Sequence, residues 1–128
     1  MGARGDAAEN LAAAFLQRAG LILVERNYRC RFGEIDLIAR DGATLVFVEV
    51  RMRSSERFGG AAASITAAKR MKLLRTARFY LAGVARAPQC RFDALLISGK
   101  THSIEWLKNA FAERLWDNPP TLRAKRWI

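Results

Sequence analysis

The chain is short of the residues from which many catalytic and structural sites are built. It holds one histidine, His102, and two cysteines, Cys30 and Cys90, in 128 residues. Two cysteines are too few for a disulfide framework, and with a lone histidine they argue against a structural zinc site. Both read as small buried hydrophobes. His102 falls in a turn, with no second histidine or reactive thiol nearby, so it reads as a surface residue. No apolar run approaches the ~20 residues of a membrane span. Glu9 and Asn10 interrupt any secretory signal core near the N-terminus. The expectation is a cytoplasmic protein with no membrane partner. Acidic residues are missing from one long stretch, between Glu56 and Asp93.

What is present describes a single folded unit. Hydrophobic residues make up 51% of the chain, which excludes wholesale disorder. The expected division is one domain over residues 1–118 and a tail over 119–128, set off by Pro119-Pro120. The net charge of +10 is unevenly spread. Residues 1–50 are nearly balanced, and the excess lies after them, on Arg53, Arg57, Lys69, Arg70, Lys72, Arg75 and Arg78 among others. Helical ion pairing cannot absorb these charges where no acid is near. Such an excess suits a polyanionic partner, with nucleic acid first and an anionic membrane surface second.

Apolar periodicity predicts a helix over 5–19, with Ala8, Leu11, Ala12, Phe15 and Ala19 inward, Glu9 at the border and Gly20 as its stop. Strands follow at 21–29, 33–39 and 45–51. A loop covers 52–63. A second helix, capped by Ser64 or Thr66, runs to about Ala82, with Ile65, Met71, Leu74, Ala77 and Leu81 inward. Phe92–Ile97 and Ile104–Leu107 read as a fourth and a fifth strand, and 109–116 as a short helix. The length from third to fourth strand fits a βαβ crossover. The order is α-β-β-β-α-β with an appended strand: an α/β fold with a mixed central sheet.

Charges sit where strands normally carry none. Asp41-Gly42 marks a hairpin between Gly33–Ala39 and Leu45–Arg51. With Asp41-Gly42 as the two-residue loop, Glu34, Asp36, Glu49 and Arg51 share one face, and Asp36 and Glu49 are diagonal neighbours. Ile35, Leu37, Val46, Val48 and Val50 form the other face. Two carboxylates ~5 Å apart repel by about 3 kcal/mol at an effective dielectric near 20. Arg51, a proton or a divalent cation can relieve this. Mg²⁺ suits the last role, since it takes oxygen ligands and keeps several waters. Asp93 reads as a buried structural acid.

These blocks resemble the YraN family of bacterial proteins. The matching residues are Asn27-Tyr28-Arg29-Cys30-Arg31, Gly33-Glu34-Ile35-Asp36-Leu37-Ile38, Val46-Phe47-Val48-Glu49-Val50-Arg51, Arg57-Phe58-Gly59-Gly60 and Arg91-Phe92-Asp93. They span about residues 5–112. That family is in turn similar to the PD-(D/E)xK nuclease superfamily, in particular its Holliday-junction-resolvase-like branch. The resemblance implies a restriction-endonuclease-like fold and Mg²⁺- or Mn²⁺-dependent cleavage of DNA phosphodiesters. Carried over, it makes Asp36 and Glu49 the metal-binding acids. Val50 adds its carbonyl, and Glu9 is the first-helix carboxylate. Lys69 stands where the following helix adds a polar residue. Arg51 occupies the lysine position, and Ile35 replaces the proline. Arginine stays protonated, so Arg51 suits orientation of a phosphate and not general-base work.

Three functions follow as expectations. The first is a metal-dependent nuclease acting on branched or flapped DNA. There Glu9, Asp36, Glu49 and Arg51 would be catalytic, and the seven basic residues named above would hold the backbone. The second is a non-catalytic nucleic-acid-binding protein on the same fold, which Arg51 supports. The third is a protein-interaction adaptor using Trp106, Trp116, Trp127 and Phe111, although Trp106 and Phe111 also read as core. A homodimer is implied by the resolvase likeness.

Overall fold

A computed structural model describes residues 2–53, 65–84, 86 and 88–110; the side chains of residues 2–6 and of Arg53 lie outside that description. The elements in order are α1 (Gly2–Arg18), β1 (Ile22–Cys30), β2 (Gly33–Asp41), β3 (Thr44–Arg53), α2 (Ala67–Ala82), β4 (Gln89–Ser98) and β5 (Ile104–Leu107). They form a five-stranded sheet in the order β1-β2-β3-β4-β5. Among the described strands only β3 and β4 pair in parallel, so the sheet is mixed, as expected. The expected loop at 52–63 with Arg57, the helix at 109–116 beyond Ala110, and the tail at 119–128 fall on residues outside those described.

The sheet is covered on both faces. Ala8, Ala12, Ala13 and Leu16 of α1 pack with Leu37, Val46, Val48, Leu95 and Ile97. Leu73, Leu74, Ala77 and Leu81 of α2 pack with Ile38, Phe47, Phe92 and Leu96 on the opposite face. Alternation along β3 and β4 therefore feeds two cores, and both strands are apolar on both sides. Trp106 packs into the α1 layer, edge-on to Phe15 at 5.8 Å. Cys90 is half-buried, and burial pushes its thiol up to about 12, as for an inert small hydrophobe.

Both helices sit slightly rotated from the expected stripes. On α1, Leu16 is buried and Leu11 is 37% exposed. The inward line Ala8–Ala12–Leu16 steps by four residues, and Glu9 and Ala13 lie beside it. Glu9 is thereby drawn inside the helix–sheet contact, with 8% exposure. On α2, Leu73 is buried and Met71 is exposed. Thr66 is the N-cap, its hydroxyl accepting the Lys69 amide at 3.2 Å.

The hairpin turn differs from expectation by one step. Asp41 pairs with Thr44, which leaves Gly42-Ala43 as the loop. Gly42 takes φ +62°, as a type II′ turn asks of its first central residue. Asp41 is held in the strand by Arg91, whose Nη2 lies 3.0 Å from its carboxylate. The register moves by two residues, so the faces keep their identity. Asp36 and Glu49 now stand directly across from one another, one step past the last pair, Leu37 and Val48.

Besides the bulge that shifts the β1–β2 register between Leu23 and Glu25, alternation breaks at Asn27 and Asp36. Asn27 has φ +52° inside β1. On one side of it Arg26 reaches Glu9 and Asn10 of α1; on the other, Tyr28 meets Tyr80 of α2 at 5.0 Å. Two residues apart on a regular strand would share a face, so Asn27 reverses it. Opposite, Leu37 packs in the α1 layer and Ile35 in the α2 layer. Ile35 thus departs from the expected Leu37 face, because the irregularity crosses to β2 at Asp36.

Candidate functional site

Where alternation breaks, Asp36 cannot sit fully on either layer. Its Oδ2 accepts a hydrogen bond from the Val50 amide at 2.8 Å, bridging β2 to β3 beside Glu49. A cleft of about 810 Å³ opens there. Its floor is Asp36, Glu49, Val50 and Arg51 from the sheet. One wall is Arg29, Cys30, Gly33 and Glu34 from the strand ends that flank the β1–β2 turn; the other is the N-cap Thr66 with Ala68, Lys69, Lys72 and Leu73 of α2. Gly33 lets the turn approach that helix: its φ is +149°, and a Cβ there would lie 3.1 Å from Thr76 Oγ1.

Two acids and two cations meet at the floor. Glu49, 7% exposed, has Lys69 Nζ at 3.3 Å and Arg51 Nη1 at 3.4 Å from its Oε2. Asp36 has the Val50 amide alone among described donors. Burial first, and then the charge of Glu49, push the Asp36 carboxyl up to about 7, with Glu9 and Glu34 adding to it. The cations thus balance one acid and leave the other short of positive charge.

Glu9 approaches from the α1 side. Its Oε1 accepts from Asn27 Nδ2 at 2.8 Å and lies 3.9 Å from Arg26 Nη2. Its charge is felt at Asp36, but it is not in the lining of the cleft. Among the described residues, no three of His, Cys, Asp and Glu stand together as a metal-holding group. Asp36 and Glu49, with oxygen donors only, fit a hard cation that keeps most of its waters, as Mg²⁺ and Mn²⁺ can.

The basic residues divide. Lys69 and Lys72 line the cleft. Arg75 is exposed farther along α2, while Arg70 and Arg78 are half-buried and outside the lining. Arg57 and the Arg53 side chain lie outside the described residues. Arg29, at the cleft wall, was not anticipated from the sequence; its pairing with Glu34 at 3.1 Å depends on the hairpin between them. His102 is an exposed turn residue.

Asp93 has no exposure and is fully engaged. It accepts from Arg91 Nε at 2.9 Å, Trp106 Nε1 at 2.9 Å and the Asn109 amide at 2.9 Å. It ties β4 to β5, as a structural acid should, and stands outside the cleft lining.

Comparison with known proteins agrees with the family resemblance read from the motifs. Residues 8–97 match the family model described as "Uncharacterised protein family UPF0102". A UPF0102 protein of Nitrosomonas europaea is 66% identical over 113 residues, covering 88% of this chain and 96% of its own. A second from that organism is 65% identical over the same shares. One from Nitrosospira multiformis is 59% identical over 109 residues, 84% of this chain and 92% of its own. The matched span includes Glu9, Asp36, Glu49, Arg51 and all of α2.

Proposed function

The chain belongs to the UPF0102 family, and since that family's description gives no activity, we propose from the cleft that the protein is a divalent-metal-dependent nuclease acting on nucleic-acid phosphodiesters. The observation that carries this is the pairing of Asp36 and Glu49 at the foot of one cleft with Arg51 and Lys69 beside them. Acids for a cation and cations for a phosphate are what phosphodiester hydrolysis uses.

Asp36 and Glu49 would hold Mg²⁺ or Mn²⁺, aided by the Val50 carbonyl. Glu9 adds a third negative charge from the α1 side. Bound there, the metal supplies Lewis-acid polarisation of the phosphate and acidification of a water. Arg51 orients a non-bridging phosphate oxygen and stays charged throughout. Lys69, now 3.3 Å from Glu49, would be a second cation within the cleft for the same phosphate. Lys72 and Arg75 hold the backbone without reading bases. DNA, in branched or flapped form, is the proposed substrate, and a homodimer the proposed assembly.

The test is a cleavage assay with Mg²⁺ and with Mn²⁺ on flapped, branched, single-stranded and duplex DNA. Cleavage that disappears in Asp36→Asn and Glu49→Gln is the expected result. A clean preparation that cuts no substrate with either metal defeats the catalytic reading. The second reading, a non-catalytic nucleic-acid binder, is favoured by one observation: Glu49 already has two cations against it. A steep salt dependence of binding, unchanged in Asp36→Asn and without cleavage, would decide for the binder.

A further inference from the structure

At the far end of the cleft wall, three side chains form a platform that neither core uses. Arg31 and Phe32 lie in the turn between β1 and β2, and Phe79 projects from α2. The rings of Phe32 and Phe79 are 5.7 Å apart at 63°. The Arg31 guanidinium stands over both, 5.0 Å from the Phe32 centroid and 5.9 Å from that of Phe79. Phe79 remains 45% exposed, and Arg31 is exposed.

The platform is continuous with the cleft. Cys30 and Gly33, which flank Arg31 and Phe32, line it. On α2, Lys72, Arg75 and Phe79 follow one another at helical spacing, and Lys72 lines the cleft too. From Lys72 to Phe79 the helix rises about 10 Å. A strand whose phosphate enters the cleft would run along two cations and arrive at an aromatic–guanidinium surface. A duplex offers no base face there, because its bases are stacked on one another.

We propose that Arg31, Phe32 and Phe79 form a stacking platform for an unpaired nucleobase, which makes single-stranded nucleic acid the preferred ligand of this wall. The proposal rests on the phosphodiester reading of the cleft and narrows its substrate. Stacking accepts any base and gains from guanidinium planes, and it differs from phosphate contact in carrying no counterion release.

The experiment measures binding by anisotropy across a salt series, in EDTA so that no cleavage intervenes. The probes are labelled oligo-dT, oligo-rU and a blunt DNA duplex of equal length. Phe79→Leu, on an exposed site, is expected to weaken oligo-dT or oligo-rU binding about 5- to 100-fold. Its salt slope and its duplex affinity should match wild type. Phe79→Trp should retain the affinity and show fluorescence quenching on addition of oligo-dT. The stronger of the dT and rU arms identifies DNA or RNA as the source of the base. Equal loss on duplex and single strand, no loss at all, or no nucleic-acid binding by wild type each overturns the platform. Cleavage is scored separately: a wild type that cuts duplex while Phe79→Leu binds oligo-dT normally loses the platform and keeps the nuclease.

Discussion

The Val50 amide donates to the Asp36 carboxylate at 2.8 Å, across two strands that would otherwise exchange backbone hydrogen bonds. An acid thereby becomes part of the sheet's own ladder, at the point where β1 and β2 change faces.

This position makes stability depend on pH in a definite direction. The Asp36 carboxyl is raised to about 7, above its ordinary value near 4, by burial and by Glu49. A raised acid contributes stability that is complete below about pH 4 and lost as pH rises through about 7. Chemical denaturation in EDTA should give a lower unfolding free energy at pH 8 than at pH 6. Asp36→Asn should flatten that difference and be more stable at pH 8. A wild-type profile as flat as the variant's would remove the repulsion on which this rests.

Lys69 competes with a metal for Glu49, its Nζ being 3.3 Å from the carboxylate. Lys69→Met should therefore bind Mn²⁺ more tightly, by about two- to fivefold, as expected for a half-exposed ion pair. Isothermal titration at constant pH measures this. Weaker binding would mean that Lys69 organises the acids instead of blocking them.

Asn27 combines a left-handed backbone with a hydrogen bond to Glu9 at 2.8 Å. Asn27→Ala should cost about 1–2 kcal/mol in a urea melt, because alanine strains there. Asn27→Gly keeps the backbone and should cost less, while releasing Glu9. Equal costs for the two would place the whole effect in the lost hydrogen bond.

Asp93 offers a contrast between structural and functional acids. Asp93→Ala strands Arg91, the Trp106 indole and the Asn109 amide, and should cost about 3–5 kcal/mol. Asp93→Asn retains an acceptor and should cost less. Neither should alter divalent-cation affinity, in contrast to Asp36→Asn.

Much of this was legible in the sequence because it follows from period and spacing. The strands, the crossover and the charged face of the hairpin all rest on local pattern, which survives a two-residue slip since faces repeat every two residues. The slip itself was not legible. Arg91 anchors Asp41 from β4, a contact between residues far apart in the chain. The reversal at Asn27 escaped for a related reason: asparagine tolerates a left-handed backbone without announcing one. Lys69 was placed by family resemblance, and its contact with Glu49 depends on how α2 docks. Glu9 was read at the border of its helix stripe and lies within the buried side, where Asn27 takes its carboxylate.

The hairpin also sets an order of events. Asp36 and Glu49 meet through a two-residue turn, a short-range closure, whereas Lys69 reaches Glu49 only when the crossover helix docks. For that interval the nascent hairpin carries its acids with fewer counter-charges, so the same repulsion acts as a kinetic brake. At pH 8 in EDTA, where both acids are charged in the undocked hairpin, Asp36→Asn should refold faster than wild type by stopped flow, and equal rates would remove the brake. A pair of carboxylates suited to a cation in the finished protein is, to the chain still assembling, an obstacle that a proton can lift.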